Sequence, residues 1–359
     1  MEVPSTPASQ ISNSIACAEY NLRRVDPRLR IAEDELIDRI RRRLPSSTGG
    51  TLRLGIGHDA AVFRPMKKDW VVTCDQFLEG AHFTADKHPP DSVGYKALAR
   101  ATSDVLAMGA KPRLFLLSLA LPSDKTGHWL DQMLSGMSRA CRILGLRLAG
   151  GDTARSPQHS GVALNVMVLG ETPHTRVIGR AGAGPGDGIY VTGVLGRAQL
   201  GLELLMRGVS NRRKYARLLA QHLYPSLPLD LAVWLGRNRF ASAMMDLSDG
   251  LSTDVGRFCR ASRIAANIHA DRIPAVPLPR AIEQRYGLDR LTLALNGGED
   301  YGLLFTIPKR FESRMPKIFR RTRITRIGDI VRGSGVRIVM PDGHASPLAP
   351  HGWDHFANP

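Results

Sequence analysis

Three aspartates, Asp246, Asp249 and Asp254, lie within the eleven-residue stretch MMDLSDGLSTD. Carboxylates this close together repel one another unless a positive charge lies among them. Carboxylate oxygens are the ligands that Mg²⁺ prefers, and Mg²⁺ in turn bridges to phosphate groups. We therefore predict that Asp246 and Asp249 belong to a metal site. We interpret Asp254 as a helix cap or a solvated helix residue outside that site.

Four further acidic turns of similar form lie in the first half of the chain. They are GIGHDAAV, VTCDQ, ATSDVLAMG and AGGDTAR, which contain Asp59, Asp75, Asp104 and Asp152, respectively. We expect Asp59, Asp75 and Asp152 to lie near strand ends, where loops converge into clefts. Asp104 falls inside an apolar helical pattern, where aspartate is poorly placed. Any one of Asp59, Asp75 and Asp152 is explained equally well as a turn or a cap, but the set favours several Mg²⁺ ions that hold a triphosphate.

Glycine pairs precede acidic residues in AGGDTAR and in NGGEDYG, the second of which contains Glu299. Glycine lets backbone N–H groups approach a phosphate closely. An ordinary tight turn explains either pair alone, so the pairs support a phosphate site only as part of the whole set.

Predicted strands and helices alternate along both halves of the chain, which favours two α/β or α+β domains. The strand in DWVVTCDQFLEG is followed by a helix in SVGYKALARATSDVLAMGA, and a second strand–turn–helix run begins at GIYVTG. We predict a mobile N-terminal tail over residues 1–32, because that segment is polar, and a domain boundary near residue 175, where glycine is frequent. Neither a G-x-G-x-x-G after the first strand nor a P-loop is present, so ATP would be bound by another route.

Composition is typical of a soluble globular protein, with 43% hydrophobic and 23% charged residues. The net charge of +16 allows nucleic-acid binding, but no basic segment contains the interleaved aromatic residues that stack on bases. The sequence contains no run of eighteen apolar residues, so no membrane span is predicted. The N-terminus lacks the apolar region of a secretory signal. The four cysteines are scattered, which favours a reducing cytoplasm.

The ordered motifs resemble those of the thiamine-monophosphate kinases over Glu33 to Phe356. The motifs that carry the resemblance are GIGHDAAV, CDQFLEGAHF, GYKALARATSDVLAMGAKP, AGGDTARS, GRAGAGPGD, VTGVLGRAQLGL, MMDLSDGLSTD, NGGEDYGLLFT and HGWDHF. Single motifs are shared with aminoimidazole ribonucleotide synthetase, selenophosphate synthetase and a hydrogenase maturation factor. EGAHF, GGEDY and GWDHF together point to the thiamine enzyme.

The resemblance implies a cytoplasmic homodimer that uses ATP and several Mg²⁺ ions to convert thiamine monophosphate to thiamine diphosphate by direct in-line transfer. It implies an α/β (α+β) two-domain fold like that of aminoimidazole ribonucleotide synthetase. Residues 33–175 would form an ATP- and Mg-binding, dimerising domain with a mixed sheet, and residues 176–340 an α/β sandwich. Residues 341–359 would return to the substrate site.

Site residues follow from the resemblance, position by position. The implied metal ligands are Asp59, Thr73, Cys74, Asp75, Asp104, Asp152, Asp246 and Asp249, of which Asp75, Asp104 and Asp249 are also assigned catalysis. The implied ATP contacts are Gly151, Asp152, Arg180 and Ser248. The implied thiamine-monophosphate contacts are His82, Glu299 and Trp353. Trp353 could stack on the thiazolium ring and Glu299 could supply its counter-charge, although Trp353 could instead anchor the C-terminal segment in the core.

Three residues depart from the family pattern. His58 replaces the first of two adjacent acids, Cys74 replaces a hydroxyl residue, and Ala101 replaces an asparagine that some members have. A soft thiol suits Mg²⁺ poorly, so Cys74 would contribute either its side chain or only its backbone carbonyl oxygen. None of the three removes an acidic ligand.

Two other functions remain open at this stage. A selenophosphate synthetase-like enzyme would need a reactive residue near the N-terminus, where Cys17 is the only candidate and no lysine follows closely. A basic nucleic-acid-binding protein would explain the charge but not the ordered acidic motifs.

Overall fold

The structure is a computed structural model that describes residues 33–45, 52–54, 62–63, 68–157, 161–173, 177–208 and 212–353. The predicted tail, residues 1–32, and the predicted ligand Asp59 lie outside the described residues. Within the described ranges, no helix is both long enough and apolar enough to cross a membrane.

The first half contains a four-stranded mixed sheet covered on one face by two helices. Its elements are α1 (Glu33–Arg43), β1 (Leu52–Leu54), β2 (Val62–Phe63), β3 (Trp70–Leu78), α2 (Pro90–Ala107), β4 (Lys111–Leu121), α3 (His128–Leu144), β5 (Arg147–Arg155) and β6 (Ala163–Glu171). The strand order is β3-β6-β4-β5; only β4 and β5 run parallel.

Helix α2 is almost completely buried, because it packs against the sheet, against α3 and against the second half. Pro90 occupies its first turn, where the missing N–H has no helical partner to lose. A Cβ at Gly94 would lie 2.0 Å from the Met133 carbonyl oxygen, and one at Gly136 would lie 1.7 Å from that of Asp91. These two glycines therefore allow the backbones of α2 and α3 to touch.

The second half contains a larger sheet with helices on both faces. Its elements are β7 (Gly188–Thr192), α4 (Arg197–Met206), α5 (Arg212–Leu223), α6 (Leu229–Asn238), β8 (Ala243–Leu247), α7 (Leu251–Ser262), β9 (Ala265–His269), α8 (Arg280–Tyr286), α9 (Arg290–Asn296), β10 (Gly302–Ile307), β11 (Ile318–Phe319), β12 (Thr322–Val331), β13 (Gly335–Val339) and β14 (Ala345–Pro347). The strand order is β14-β13-β9-β12-β7-β10-β8, and β11 pairs with β12.

Alternate residues of the central strands enter two different cores. Met245 and Leu304 pack with Phe258 of α7, whereas Met244 and Phe305 pack with Leu235 of α6. This alternation follows from the two-residue period of a strand. The predicted α/β fold with helices on a mixed sheet is confirmed, and the domain boundaries stay predictions.

Two aspartates differ from the expected placement near strand ends. Asp75 and Asp152 lie inside β3 and β5, several residues before either strand ends. Both strands continue because each residue still has a neighbour in the sheet: Asp75 is paired with Val166, and Asp152 with Ser118. The glycine pair Gly150–Gly151 thus continues a strand and does not form the expected turn.

Candidate active site

A group of carboxylates gathers where α2 lies between the two sheets. Asp75 comes from β3, Asp104 from α2 and Asp246 from β8, and α2 contacts both strands. Thr73 Oγ1 donates a hydrogen bond of 2.7 Å to Asp104 Oδ2, and Ser103 Oγ donates one of 2.9 Å to Asp246 Oδ2. One helix therefore joins acidic residues that are far apart in the sequence.

Burial and mutual repulsion shape the charges of this group. Burial raises the pKa of Asp246 to about 7, and the charges of Asp104 and Asp254 act in the same direction. Burial likewise raises the pKa of Asp75, although Arg100, whose Nε lies 3.4 Å from Asp75 Oδ2, opposes that shift. A bound cation would favour the ionised carboxylates and so oppose both causes of the raised pKa values, burial first and mutual repulsion second.

The donor chemistry of the group suits Mg²⁺, since carboxylate and hydroxyl oxygens are hard ligands. Within the described ranges, however, no three His, Cys, Asp or Glu side chains converge closely enough to form a ready-made metal site. To share one cation, Asp75, Asp104 and Asp246 would have to lie closer together than they do in this structure.

Two predicted metal ligands lie on the other face of the first sheet. Cys74 Sγ donates to Asn165 Oδ1 at 2.9 Å, and the register places Asp152, through Ser118, in the row of Asn165. Side chains of successive strand residues point to opposite faces, so Cys74 points away from the face that Asp75 occupies. The structure brings Thr73 and Asp75 together with Asp104, but not Cys74 or Asp152.

The loop that follows β8 is held by a buried carboxylate. The backbone N–H groups of Ser248 and Asp249 each donate to Asp254 Oδ2 at 3.1 Å, and Arg257 bonds to both Asp249 and Asp254. Asp254 is fully buried, so our interpretation of it as a solvated helix residue was wrong. It lies in the first turn of α7 and fixes two predicted site residues through their backbone.

A cavity of about 660 Å³ lies between the two halves beside this loop. Its lining includes all three predicted thiamine-monophosphate contacts, His82, Glu299 and Trp353, together with Ser248 and Asp249. The Trp353 side chain is 43% exposed and its backbone N–H donates to Asp249 O at 3.0 Å. This exposure argues against Trp353 as an anchor in the core.

Glu299 takes part in a buried polar network that sequence analysis did not find. Lys96 Nζ donates to Glu299 Oε2 at 2.6 Å, and His222 Nδ1 lies 3.2 Å from the same oxygen. Burial alone would raise the pKa of Glu299, but Lys96 and His222 outweigh it and hold that pKa well below its usual range. Lys96, like Asp104, is a charged residue inside an apolar helical pattern. That feature of the sequence could have identified it as a site residue.

The network continues to His88, whose Nε2 lies 3.0 Å from His222 Nε2. His88 Nδ1 lies 3.1 Å from both the backbone N–H and the carbonyl oxygen of Thr84, so it accepts from the first or donates to the second according to its tautomer. His222 Nδ1 lies 3.2 Å from Glu299 Oε2 and 3.3 Å from Lys96 Nζ, so a carboxylate acceptor and an ammonium donor both face this ring nitrogen. Burial, followed by the charges of His222 and Lys96, lowers the pKa of His88 to about 4, so the His88 ring is neutral at pH 7. Burial also lowers the pKa of His222.

The NGGEDYG loop is held in an unusual backbone conformation. Glu299 and Tyr301 have φ angles of 65° and 48°, a region that residues other than glycine seldom adopt. Asp300 stabilises the loop, because its carboxylate accepts from the N–H groups of Gly196 at 2.5 Å and Ala198 at 3.0 Å, near the start of α4. The Glu299 N–H also donates to Ser248 O at 2.7 Å, which joins the two loops.

Two predicted nucleotide contacts lie outside the cavity. Arg180 is exposed and its carbonyl oxygen accepts from Ser262 Oγ at 3.1 Å. A Cβ at Gly151 would lie 1.9 Å from the Leu117 carbonyl oxygen, so close packing of β4 and β5 itself requires glycine there. Contacts of Arg180 and Gly151 with nucleotide stay predictions.

Similarity to known proteins extends over nearly the whole chain. The family model for AIR synthase related protein, N-terminal domain, matches residues 57–172. A thiamine-monophosphate kinase of Aquifex aeolicus (strain VF5) is 34% identical over 91% of this chain and 98% of its own length. That of Escherichia coli (strain K12) is 34% identical over 96% of this chain and 100% of its own. The solved structure of AaThiL complexed with AMPPCP and TMP is 34% identical, has a TM-score of 0.72, and is matched over 90% of this chain and 97% of its own.

Proposed function

This chain belongs to the family of thiamine-monophosphate kinases, and from that premise we propose that it transfers the γ-phosphoryl group of ATP to thiamine monophosphate. The observation that carries the proposal is the position of the cavity. The residues predicted to contact thiamine monophosphate line it, and Arg100, which also lines it, contacts Asp75 of the carboxylate group. An acceptor in the cavity would therefore lie beside the predicted metal ligands.

The character of the cavity suits an acceptor that is cationic at one part and anionic at another. Carboxylates of Glu203, Asp249, Asp289 and Glu299 line it, together with apolar side chains such as Leu288. The carboxylates favour the thiazolium, and the apolar surface favours its ring. The charge of Glu299 is offset by Lys96, that of Asp249 by Arg257 and that of Glu203 by Arg207. The counter-charge for the thiazolium would therefore come mainly from Asp289, with stacking on Trp353 as the other attraction.

Direct in-line transfer places modest demands on the protein. The attacking group is a phosphate oxygen of thiamine monophosphate, which is largely ionised at neutral pH, so no strong general base is required. Positioning and charge neutralisation then account for most of the rate enhancement. Asp75, Asp104, Asp246 and Asp249 would hold the Mg²⁺ ions, which would screen the two anionic substrates from each other.

The chain's own residues would prepare this arrangement. Thr73 and Ser103 orient the carboxylates of Asp104 and Asp246 by hydrogen bonds. Asp254 holds the loop that carries Asp249 in place at the wall of the cavity. Trp353 is placed at the cavity with an exposed ring on which a thiazolium could stack.

We also propose a cytoplasmic homodimer that forms through the first half. The face of the first sheet opposite α2 and α3 carries Val72, which is 61% exposed, and the half-buried Met167 and Leu169 in its neighbouring strand. Exposed apolar surface of this kind favours association. Light scattering coupled to size-exclusion chromatography would measure the mass, and a monomer at micromolar concentration would contradict the proposal.

A direct assay tests the proposed reaction. Purified protein would be incubated with ATP, Mg²⁺ and thiamine monophosphate, and chromatography would follow thiamine diphosphate and ADP in equal amounts. Omitting Mg²⁺ or adding EDTA should abolish the product. ATP bearing a chiral γ-thiophosphate should react with inversion at phosphorus if transfer is direct. ATP hydrolysis without thiamine diphosphate would overturn the proposal, as would ATP turnover that depends on selenide.

A further inference from the structure

Three charged residues of α2 lie four positions apart and face the region between the two halves. Lys96 contacts Glu299, Arg100 contacts Asp75, and Asp104 accepts from Thr73. Residues with this spacing share one face of a helix. Arg100 thus lies between the substrate cavity on one side and the carboxylate group on the other.

Arg100 is the one lysine or arginine among the cavity-lining residues of the described chain. Its side chain is 21% exposed, and its guanidinium reaches Asp75 through Nε at 3.4 Å. The Nη1 and Nη2 groups form no hydrogen bond with any residue that the structure describes. Guanidinium donors held in this way are suited to bidentate bonds with a phosphate.

The other charged residues of the cavity make Arg100 the favoured position for a phosphate. Carboxylates line the cavity elsewhere, at Glu203, Asp249, Asp289 and Glu299. Arg207, Arg257 and Lys96 pair with three of them, but an ionised carboxylate offers a phosphate no hydrogen-bond donor. Near Arg100 the phosphate would meet a guanidinium, and it would also lie close to Asp75. The reacting oxygen of an acceptor would then be presented to the predicted metal site.

We propose that Arg100 binds the phosphate of the acceptor and thereby makes the site select a phosphate monoester over the corresponding alcohol. This inference rests on the proposed function, because it concerns the acceptor of that reaction. Arg100 is a specificity-determining residue, and no proton transfer is assigned to it.

Binding measurements without ATP test the role of Arg100. Calorimetry would give the dissociation constants of thiamine monophosphate and of thiamine for the wild-type protein, Arg100→Gln, Arg100→Lys and Arg113→Gln. Arg113 is the matched control, because it pairs with the carboxylate of Glu171 outside the cavity. Unfolding temperatures would show that each variant is folded.

We expect the wild-type protein to bind thiamine monophosphate more tightly than thiamine. Arg100→Gln should weaken thiamine monophosphate binding by about tenfold to a hundredfold, as expected for a lost charge-assisted bond, and should leave thiamine binding nearly unchanged. Arg100→Lys should recover part of the preference, because lysine keeps the charge but not the planar fork. Arg113→Gln should behave like the wild-type protein.

An unchanged ratio of the two dissociation constants in Arg100→Gln would overturn the inference. Weaker ADP binding with unchanged thiamine monophosphate binding would also overturn it, because Arg100 would then belong to the nucleotide site. If Arg100→Gln fails to fold, the ratio in Arg100→Lys decides: a ratio equal to that of the wild-type protein overturns the inference. Wild-type protein that forms no thiamine diphosphate would instead refute the proposed function, which the assay above measures separately.

Discussion

Lys96 Nζ and Glu299 Oε2 are joined by a 2.6 Å hydrogen bond although 203 positions separate them in the sequence. Lys96 lies on α2 of the first half, where its side chain is 2% exposed, and Glu299 lies in the loop before β10 of the second half. The ion pair therefore connects the two halves at the wall of the cavity. Because Lys96 is buried, the pair is costly to break from either side.

Replacing Lys96 by methionine should destabilise the protein by about 3 kcal/mol, the low end of the range for breaking a buried pair, since Glu299 keeps some solvent contact. Urea unfolding would measure the change in the free energy of unfolding. Glu299→Gln should lower the free energy of unfolding much less in the Lys96→Met variant than in the wild-type protein. In that variant no buried Lys96 ammonium is left without its partner. Additive losses in the double variant would show that the two residues do not interact.

Stability should fall as the pH is lowered from about 6.5 to about 4, partly because of His88. Its pKa in the folded protein is about 4, below the ordinary value of 6.5. Over that range the unfolded chain takes up a proton that the folded protein does not bind, so the free energy of unfolding decreases by up to about 1.4 kcal/mol per pH unit for each such group.

His88→Gln should make this dependence shallower, because glutamine does not titrate while its amide can still donate towards His222. Urea unfolding at a series of pH values would measure the slope. His128→Gln, at an exposed position at the start of α3, is the control and should leave the slope unchanged. Equal slopes for the wild-type protein and His88→Gln would contradict the assignment of a buried neutral imidazole.

Asp75→Asn should lower turnover by about a hundredfold or more, as expected when a major electrostatic contact with the reacting groups is lost. Its unfolding temperature without ligands should change little, because the relief of burial and of repulsion from Asp104 is set against the loss of the ion pair with Arg100. Steady-state rates over a range of Mg²⁺ concentrations would test this. The control is Asp69→Asn, an exposed acid just before β3. Near-normal turnover of Asp75→Asn at limiting Mg²⁺ would remove Asp75 from the site.

Trp353→Ala should raise the KM for thiamine monophosphate by a few-fold to about thirtyfold, since stacking of a cation on tryptophan contributes roughly 0.5–2 kcal/mol. The KM for ATP should change much less, because the predicted nucleotide contacts lie elsewhere. Trp353→Phe keeps an aromatic face and should recover most of the affinity. If both KM values rise equally, the segment that contains Trp353 organises the fold instead.

The family and the α/β fold class could be predicted from the sequence because both depend on local patterns. Motifs such as MMDLSDGLSTD and NGGEDYGLLFT lie within single turns and their flanking elements. Their residue types and order can therefore be recognised without knowing how the chain packs. Alternating strands and helices are read in the same local way. Both predictions are confirmed by the two sheets and by the similarity to thiamine-monophosphate kinases.

The detailed site was only partly predictable. Asp75 and Cys74 are adjacent in sequence, and the motif suggested that both serve the same metals. The structure places them inside β3, where adjacent side chains point to opposite faces, so Cys74 meets Asn165 while Asp75 meets Arg100. The face of the first sheet that becomes the site is the one against which α2 packs. No local sequence pattern predicts which face that is.

The sequence by itself determined the chemistry that was available: many carboxylates, glycines at close approaches, and the order of strands and helices. Only the tertiary structure decided which of these groups act together. Lys96, His88 and His222 form one network with Glu299 because the two halves pack against each other across α2. Contacts between residues so far apart in the chain arise from the burial of whole surfaces, and short-range spacing carries no information about them.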